Sequence, residues 1–526
     1  MNSRILVPFL FFVLVFSPQA YPQATGSAAS LQDLPPEILA YPNLILFGGK
    51  ILTVDDNFST AQALAIRDGR ILAVGDNSRI LRMQGPNTEK IDLQGKSVVP
   101  GFIDTHYHLG DYAMRYMLLE EKGIQWAGKI DRGGLVWEDL GMALGDIKLA
   151  VDAARPGELI RVGVRYGDRI FEEMKTSELD AISPQNPLVV VSQSQQRPQT
   201  VNTKAIEMAQ IPADTPGLPQ EGARITGRAA TLLTEYLNWA IPLEKVIPWH
   251  KKTMKLVNSW GMTTVSTRIR PHPFNALREI WLQEALTVRW RLSFPGPLDI
   301  PNTGNVSDIG DDWLRISGAG GATAPGSADA LGHWSSKVPP TSAELAGWPQ
   351  RRRQLLETLR YGWSMPNSHV KGDIAVRVIL DVIEEAQRNP IVKSSNQRFT
   401  MDHMEEINDA DIPRLKQLGV TPSSMMRDIF SDAHPEGSAA YQAVFGADYV
   451  NNMLPIKKYL EAGIHPTIEA DSGDELHGRP LWTIEKAVCR CVDFTTRERV
   501  WGRDQKVSRQ DALRMKTIWA AAYVGD

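Results

Sequence analysis

The sequence predicts an α/β protein whose larger part is a parallel (β/α)8 barrel, preceded by a smaller β-rich unit. Three observations carry this expectation. From residue 261 onward, short β-prone runs alternate with longer amphipathic ones. The apolar run at 98–104, VVPGFID, turns abruptly polar and sets His106 and His108 one residue apart. Other metal-binding residue types, His369, His403 and Asp471, fall at the ends of later β-prone runs, where distant segments of such a barrel converge.

Taken in order, the chain begins with Arg4 and an apolar stretch, ILVPFLFFVLVF at 5–16, followed by small and polar residues through Ala24. That stretch is short for a bilayer span and fits a signal peptide, 1–24, so export is expected, periplasmic or secreted. Residues 25–43 read as a linker rich in chain breakers. Between 44 and 97, short alternating segments surround Gly48-Gly49 and Asp68-Gly69, both read as hairpin turns.

The run at 98–108 is read as the first barrel strand, with His106 and His108 on one face because residues two apart in a strand point the same way. Residues 111 to about 250 form an insert with two β-like runs, LIRVGVRYG and PLVVVSQS. The later β candidates lie at 261–268, 288–294, 313–318, a weak one ending at His369, 398–404, 419–425 and 465–471. With 98–108 they complete the eight strands that such a barrel requires. Between them DIAVRVILDVIEEAQRN reads as a helix with Asp373 as its N-cap. The barrel is expected to span 98–500, with a terminal helical segment at 501–526.

At 526 residues, with a net charge of −4 and 22% charged residues, the chain can bury a large core and offers no basic patch for nucleic acid. Its 2 cysteines, Cys489 and Cys491, are read as unpaired thiols facing different ways on one helix. The other histidines, His250, His272, His333, His434, His465 and His477, are read as structural or surface residues. A contact with substrate stays open for His434 and His477, in loops after the later strands.

The run PGFIDTHYH at 100–108 resembles the first-strand signature of the amidohydrolase superfamily, and more narrowly the amidohydrolase-3 group. SHVKGD around His369, MDHMEEI around His403 and IEADSGDE around Asp471 resemble its later motifs. The resemblance implies a TIM-like barrel with a small β-sandwich built from both chain ends. The sandwich is expected to be incomplete because the sequence stops at MKTIWAAAYVGD. Uncovered strand faces around Leu46 and Ile51 would then favour homo-oligomerisation.

The resemblance further implies one divalent metal, zinc by the donor types, held by His106, His108, His369 and Asp471, with Asp471 and His403 catalytic. It departs from the family at two places. Many members carry a carboxylated lysine on the fourth strand where this chain has Arg315, and Arg197 stands near Asn202 where relatives tend to have histidine. Arginine only donates, so it cannot ligate a metal. Glu469, sharing a face with Asp471, is expected to neutralise Arg315 inside the barrel, and Arg315 could instead meet an anionic substrate group. The activity implied is hydrolysis of a non-peptide carbon–nitrogen bond in a small molecule: an N-acyl or N-formyl amine, or a cyclic amide or imide. A catalytically impaired binding or regulatory protein, and a deaminase on the same site, remain as alternatives. No membrane partner is expected once the signal peptide is removed.

Overall fold

The computed structural model describes residues 41–120, 123–131, 134–166, 168–192, 197–220, 222–269, 271–294, 304–320, 334–337, 339–430, 442–443, 445–471, 476–492 and 495–526. The segment read as a signal peptide, most of the expected linker, His333 and His434 lie outside them. The chain divides into a small unit, residues 1–53 with 59–99, and a large one, 54–58 with 100–526.

The small unit holds two sheets. Leu44–Phe47 lies between Ala63–Arg67 and Glu89–Asp92, with Arg70–Gly75 at the edge, while Lys50–Leu52 lies between Thr60–Ala61 and Ser97–Val98. The Asp68-Gly69 hairpin forms: Arg67 pairs with Arg70, and both loop residues have positive φ, 51° and 74°, as a tight primed turn demands. Gly48-Gly49 is different from the expectation. The segments it joins enter separate sheets, because each finds its neighbours elsewhere, and a Cβ on Gly49 would stand 2.5 Å from the Lys96 carbonyl. Ile51 is buried rather than uncovered, and the exposed apolar side chains of this unit are Ile71, Leu72 and Ile91.

In the large unit, strands β1 (Phe102–Asp104), β2 (Met262–Arg268), β3 (Arg289–Phe294) and β4 (Leu314–Ala319) form one parallel sheet in chain order. Strands β5 (Phe399–Met401), β6 (Val420–Met425) and β7 (Thr467–Glu469) form a second. Segments flanking the strands run between the two at both margins: Ala319 N donates to Ser364 O, in the segment before β5, at 3.0 Å, and Asp471 N, beyond β7, donates to His106 O, beyond β1, at 3.0 Å. The weak strand ending at His369 does not form; Met365 and His369 instead make isolated parallel bridges to Phe399 and Asp402. Pro366 has no N–H to give and Asn367 takes a left-handed φ of 52°, so no ladder can propagate there.

Asn367 is buried, and it ties the strands together instead. Its amide nitrogen donates to Thr105 O at 2.7 Å, and its oxygen accepts from Ser266 Oγ at 2.8 Å and Ser293 Oγ at 3.3 Å. Thr105 Oγ1 also lies 2.9 Å from Ser423 Oγ and 3.2 Å from Thr467 Oγ1. This polar belt fixes the strands that carry the site, since a buried hydroxyl or amide costs stability unless bonded.

Helix α1 (Asp373–Arg388) shows how the outer layer packs. Its buried residues, Ala375, Val376, Ile379, Leu380, Val382, Ile383 and Ala386, recur at helical spacing and form one apolar face. Asp373 is its first residue rather than its cap; Gly372 takes that place, and the Asp373 carboxylate accepts from Ser336 N at 2.7 Å. The insert forms a five-stranded sheet that includes both β-like runs, as Ile160–Tyr166 and Leu188–Ser192. No helix among the described residues is long and apolar enough to cross a membrane.

Cys489 and Cys491 form a disulfide, contrary to the reading of unpaired thiols. Helix α2 (Pro480–Cys489) ends at the first cysteine, and Arg490 turns left-handed at φ 57°. The two sulfurs therefore meet across a helix terminus instead of diverging along a helix.

Candidate metal centre

β1 ends at Asp104, before either histidine of the pair. The Asp104 carboxylate accepts from His106 N at 3.2 Å, and Tyr107 N donates to Ser266 O at 2.9 Å, so the chain turns out of the strand into an irregular loop. The histidines converge all the same: their Nε2 atoms lie 3.2 Å apart. Asp471 enters from beyond β7, with Oδ1 3.2 Å from His106 Nε2 and 3.0 Å from His108 Nε2. The three donor atoms form a nearly equilateral triangle. A tetrahedral ion with bonds of about 2.0–2.1 Å requires ligand atoms about 3.3 Å apart, so the donor set fits a divalent ion.

Chemistry agrees with geometry. His106 Nδ1 is held by the Asp402 carboxylate, which places the lone pair of a neutral ring on Nε2, facing the Asp471 carboxylate. A metal ion would be held between that lone pair and the carboxylate; without one, a proton on Nε2 bridges them. Burial disfavours charge on His106, but Asp402, with Asp471 behind it, outweighs burial and raises the ring to about 10. Burial alone would raise Asp471; hydrogen bonds from His106 and His108, with the charge on His106, hold it well below the usual carboxylate range.

His403 packs edge-on against both His106, at 4.8 Å between ring centroids, and His369, at 4.6 Å. His369 stands beyond the triangle, and its buried Nε2 has no hydrogen-bond partner. Burial, with the charges of Arg268 and Lys371, keeps His369 neutral, its pKa well below the ordinary value. Burial keeps His403 neutral too, its pKa well below the ordinary value against the pull of the Asp471 carboxylate. An unprotonated imidazole with a free nitrogen is what a metal needs from a ligand.

Glu469 does not reach Arg315. It is fully buried, with Oε1 2.6 Å from His403 Nδ1 and accepting from His403 N at 3.0 Å. Burial and then the Asp402 charge push its carboxyl well above the usual range. Arg315 lies at the start of β4, the end of the sheet away from the ligands. There it bonds Gly525 O at 2.9 Å and Asp526 Oδ1 at 3.1 Å. It therefore stands apart from the position of a bridging ligand. Gly318, Ala319 and Gly320, at the ligand end of the strand, offer no ligating side chain.

Four contributors escape sequence reasoning. Asp402 orients His106 and Tyr523 bonds Asp402; Arg427 Nη2 lies 3.3 Å from Asp471 Oδ2; and Lys516 Nζ bonds Asp104 at 2.6 Å. Asp402 alone carried a signal, as a carboxylate at a buried strand end beside a histidine. Of the remaining histidines, His250 and His477 are buried, and His465 stacks on Trp519.

Parallel strands that deliver two histidines and an aspartate to one point, with a carboxylate behind an imidazole, make a candidate metal centre of the kind a metal-dependent hydrolase carries. The chain belongs to the Amidohydrolase family, whose model (Amidohydro_3) matches residues 89–526. It is 25% identical to Protein LONG AFTER FAR-RED 3 of Arabidopsis thaliana over 94% of this chain and 85% of that one. It is 29% identical to the N-substituted formamide deformylase of Arthrobacter pascens over 33% of this chain and 30% of that one. The fold is similar to that of an uncharacterized metal-dependent hydrolase from Pyrococcus horikoshii OT3, with a TM-score of 0.68 and 20% identity, covering 91% of this chain and 93% of that one.

Proposed function

We propose that the protein hydrolyses a non-peptide carbon–nitrogen bond in a small molecule, an N-acyl or N-formyl amine or a cyclic amide or imide. The ion would be one zinc, held by His106, His108 and Asp471, with His369 completing the set. The observation that carries this reading is the donor triangle with edges of 3.0 to 3.2 Å. Relatives named N-substituted formamide deformylase and imidazolonepropionase support the bond type. We further read the two parallel sheets as the arcs of one (β/α)8 barrel, with chemistry at the carboxyl ends of the strands.

When bound, a divalent ion of this kind polarises a carbonyl and lowers the pKa of water to about 7. The residues do the rest. Asp471 takes the proton of the attacking water and returns it to the leaving nitrogen, so water adds to the acyl carbon as the carbon–nitrogen bond breaks. Arg427 steadies the Asp471 carboxylate between those two transfers. His403, held beside Glu469 by its backbone N–H, meets the developing oxyanion. Asp402 holds the His106 tautomer that leaves Nε2 free.

The enzyme belongs, in this reading, to an oxidising compartment, where the Cys489–Cys491 disulfide persists. The test is amine release from a panel of N-formyl and N-acyl amines and cyclic imides, with and without a chelator. Chelator-sensitive hydrolysis of one class supports the proposal. Release of ammonia from aminated heterocycles alone would make the protein a deaminase, and a metal-free, inert protein would make it a binding module.

A further inference from the structure

The last helix of the chain, α3 (Ile518–Val524), lies behind the metal centre. Ala520, Tyr523 and Val524 are buried against Ile103 of β1. The Tyr523 hydroxyl donates to Asp402 Oδ1, while Asp402 Oδ2 takes the Nδ1 proton of His106. Just before the helix, Lys516 Nζ bonds Asp104 Oδ2 at 2.6 Å, and Asp104 Oδ1 accepts from His106 N at 3.2 Å. Ile103 N in turn donates to Lys516 O at 2.9 Å. Two side chains of one terminal segment thus act, through two aspartates, on the ring and the backbone of the same ligand.

We propose that Tyr523 is a positioning residue of the metal centre, acting through Asp402 to aim His106 Nε2 at the site. The inference rests on the reading of His106, His108 and Asp471 as a metal site. Asp402 is fully buried, so each of its oxygens needs a partner. With Tyr523 in place, one oxygen is occupied and the other is committed to His106, which fixes the carboxylate plane and the ring behind it. Without the hydroxyl, Oδ1 is left buried and unbonded, and the carboxylate rotates to share the one remaining donor. The imidazole then loses its single orientation, and the three donor atoms no longer hold their triangle. Outer partners of this kind are worth about 10–100-fold in metal affinity.

The test is zinc affinity by chelator competition for the wild type, Tyr523→Phe and Ile518→Ala, together with the melting temperature of each metal-free protein. Ile518 is on the same helix and 52% exposed. The expected result is affinity about 10–100-fold weaker in Tyr523→Phe and unchanged in Ile518→Ala. A Tyr523→Phe protein with a lower melting temperature and wild-type zinc affinity would overturn the inference, since helix docking alone would then explain the tyrosine. Should that variant not fold, the wild type decides. Binding and docking are reciprocal, so zinc must slow amide exchange in Ile518–Val524 more than in the outer helix Ser342–Arg360. Equal slowing in both would overturn it. A wild type that binds no zinc would sink the metal reading itself, which separates the two failures.

Discussion

His108 Nε2 and Asp471 Oδ1 stand 3.0 Å apart, one from the loop after β1 and the other from the residue that follows β7 and Ala470. His106 Nε2 closes the triangle, so a carboxylate faces two imidazole nitrogens. That arrangement can close on a proton or on a metal ion, and it puts one Asp471 oxygen on the ligand face while Oδ2 lies toward Arg427.

Asp471→Asn removes both the charge and the proton acceptor. The expected outcome is a loss of kcat of about 10²–10⁴-fold, measured at saturating zinc so that weaker metal binding does not mask the effect. A variant within a factor of three of the wild type would exclude Asp471 from proton transfer.

Glu469→Gln keeps the shape beside His403 and changes what Nδ1 meets. Since Glu469 contacts His403 and not the donor triangle, zinc content should stay at the wild-type value while kcat falls about 10–100-fold. Equal loss of zinc and of activity would show instead that Glu469 supports the ligands.

Lys516 and Asp104 are both fully buried and paired at 2.6 Å. Lys516→Met leaves a buried carboxylate without its cation, so urea unfolding should show a loss of about 3–5 kcal/mol. The solvent-facing pair of Lys148 and Asp152 is the internal comparison: Lys148→Ala should cost no more than about 0.5 kcal/mol. Similar losses for both would contradict the burial argument.

The Cys489–Cys491 disulfide closes a very short loop. Thiol titration of the unfolded, unreduced protein should find no free cysteine, and replacing both with alanine should lower stability by no more than about 2 kcal/mol. Two titratable thiols in the isolated protein would contradict the pairing.

Much of this was legible in the sequence, because hydrophobic periodicity and ligand placement are local signals. The runs at 261–268, 288–294, 313–318 and 419–425 became strands within a residue of where they were read. Of the four expected ligands, His106, His108 and Asp471 lie together although the pair leaves its strand, and His369 stands outside their triangle. What stayed hidden depends on tertiary partners. Nothing local to Arg315 says that Asp526 will come to it, and nothing local to Glu469 says that His403 will. The same holds for Tyr523, whose role exists only because the terminal helix docks behind Asp402. The cysteine pairing is hidden from the sequence because Arg490 reverses the chain with a positive φ, which a helical pattern cannot announce. The fifth segment lost its strand to Pro366 and Asn367, whose backbone preferences a weak apolar pattern concealed.

The most direct test is equilibrium zinc binding to purified wild-type protein and to His108→Ala, a substitution at a half-open position that leaves the core unchanged. We expect one tight zinc per wild-type chain and at least a hundredfold weaker binding in the variant, about 2.7 kcal/mol. Wild-type protein that binds no zinc, or a variant that binds it as tightly, would contradict the assignment of this centre.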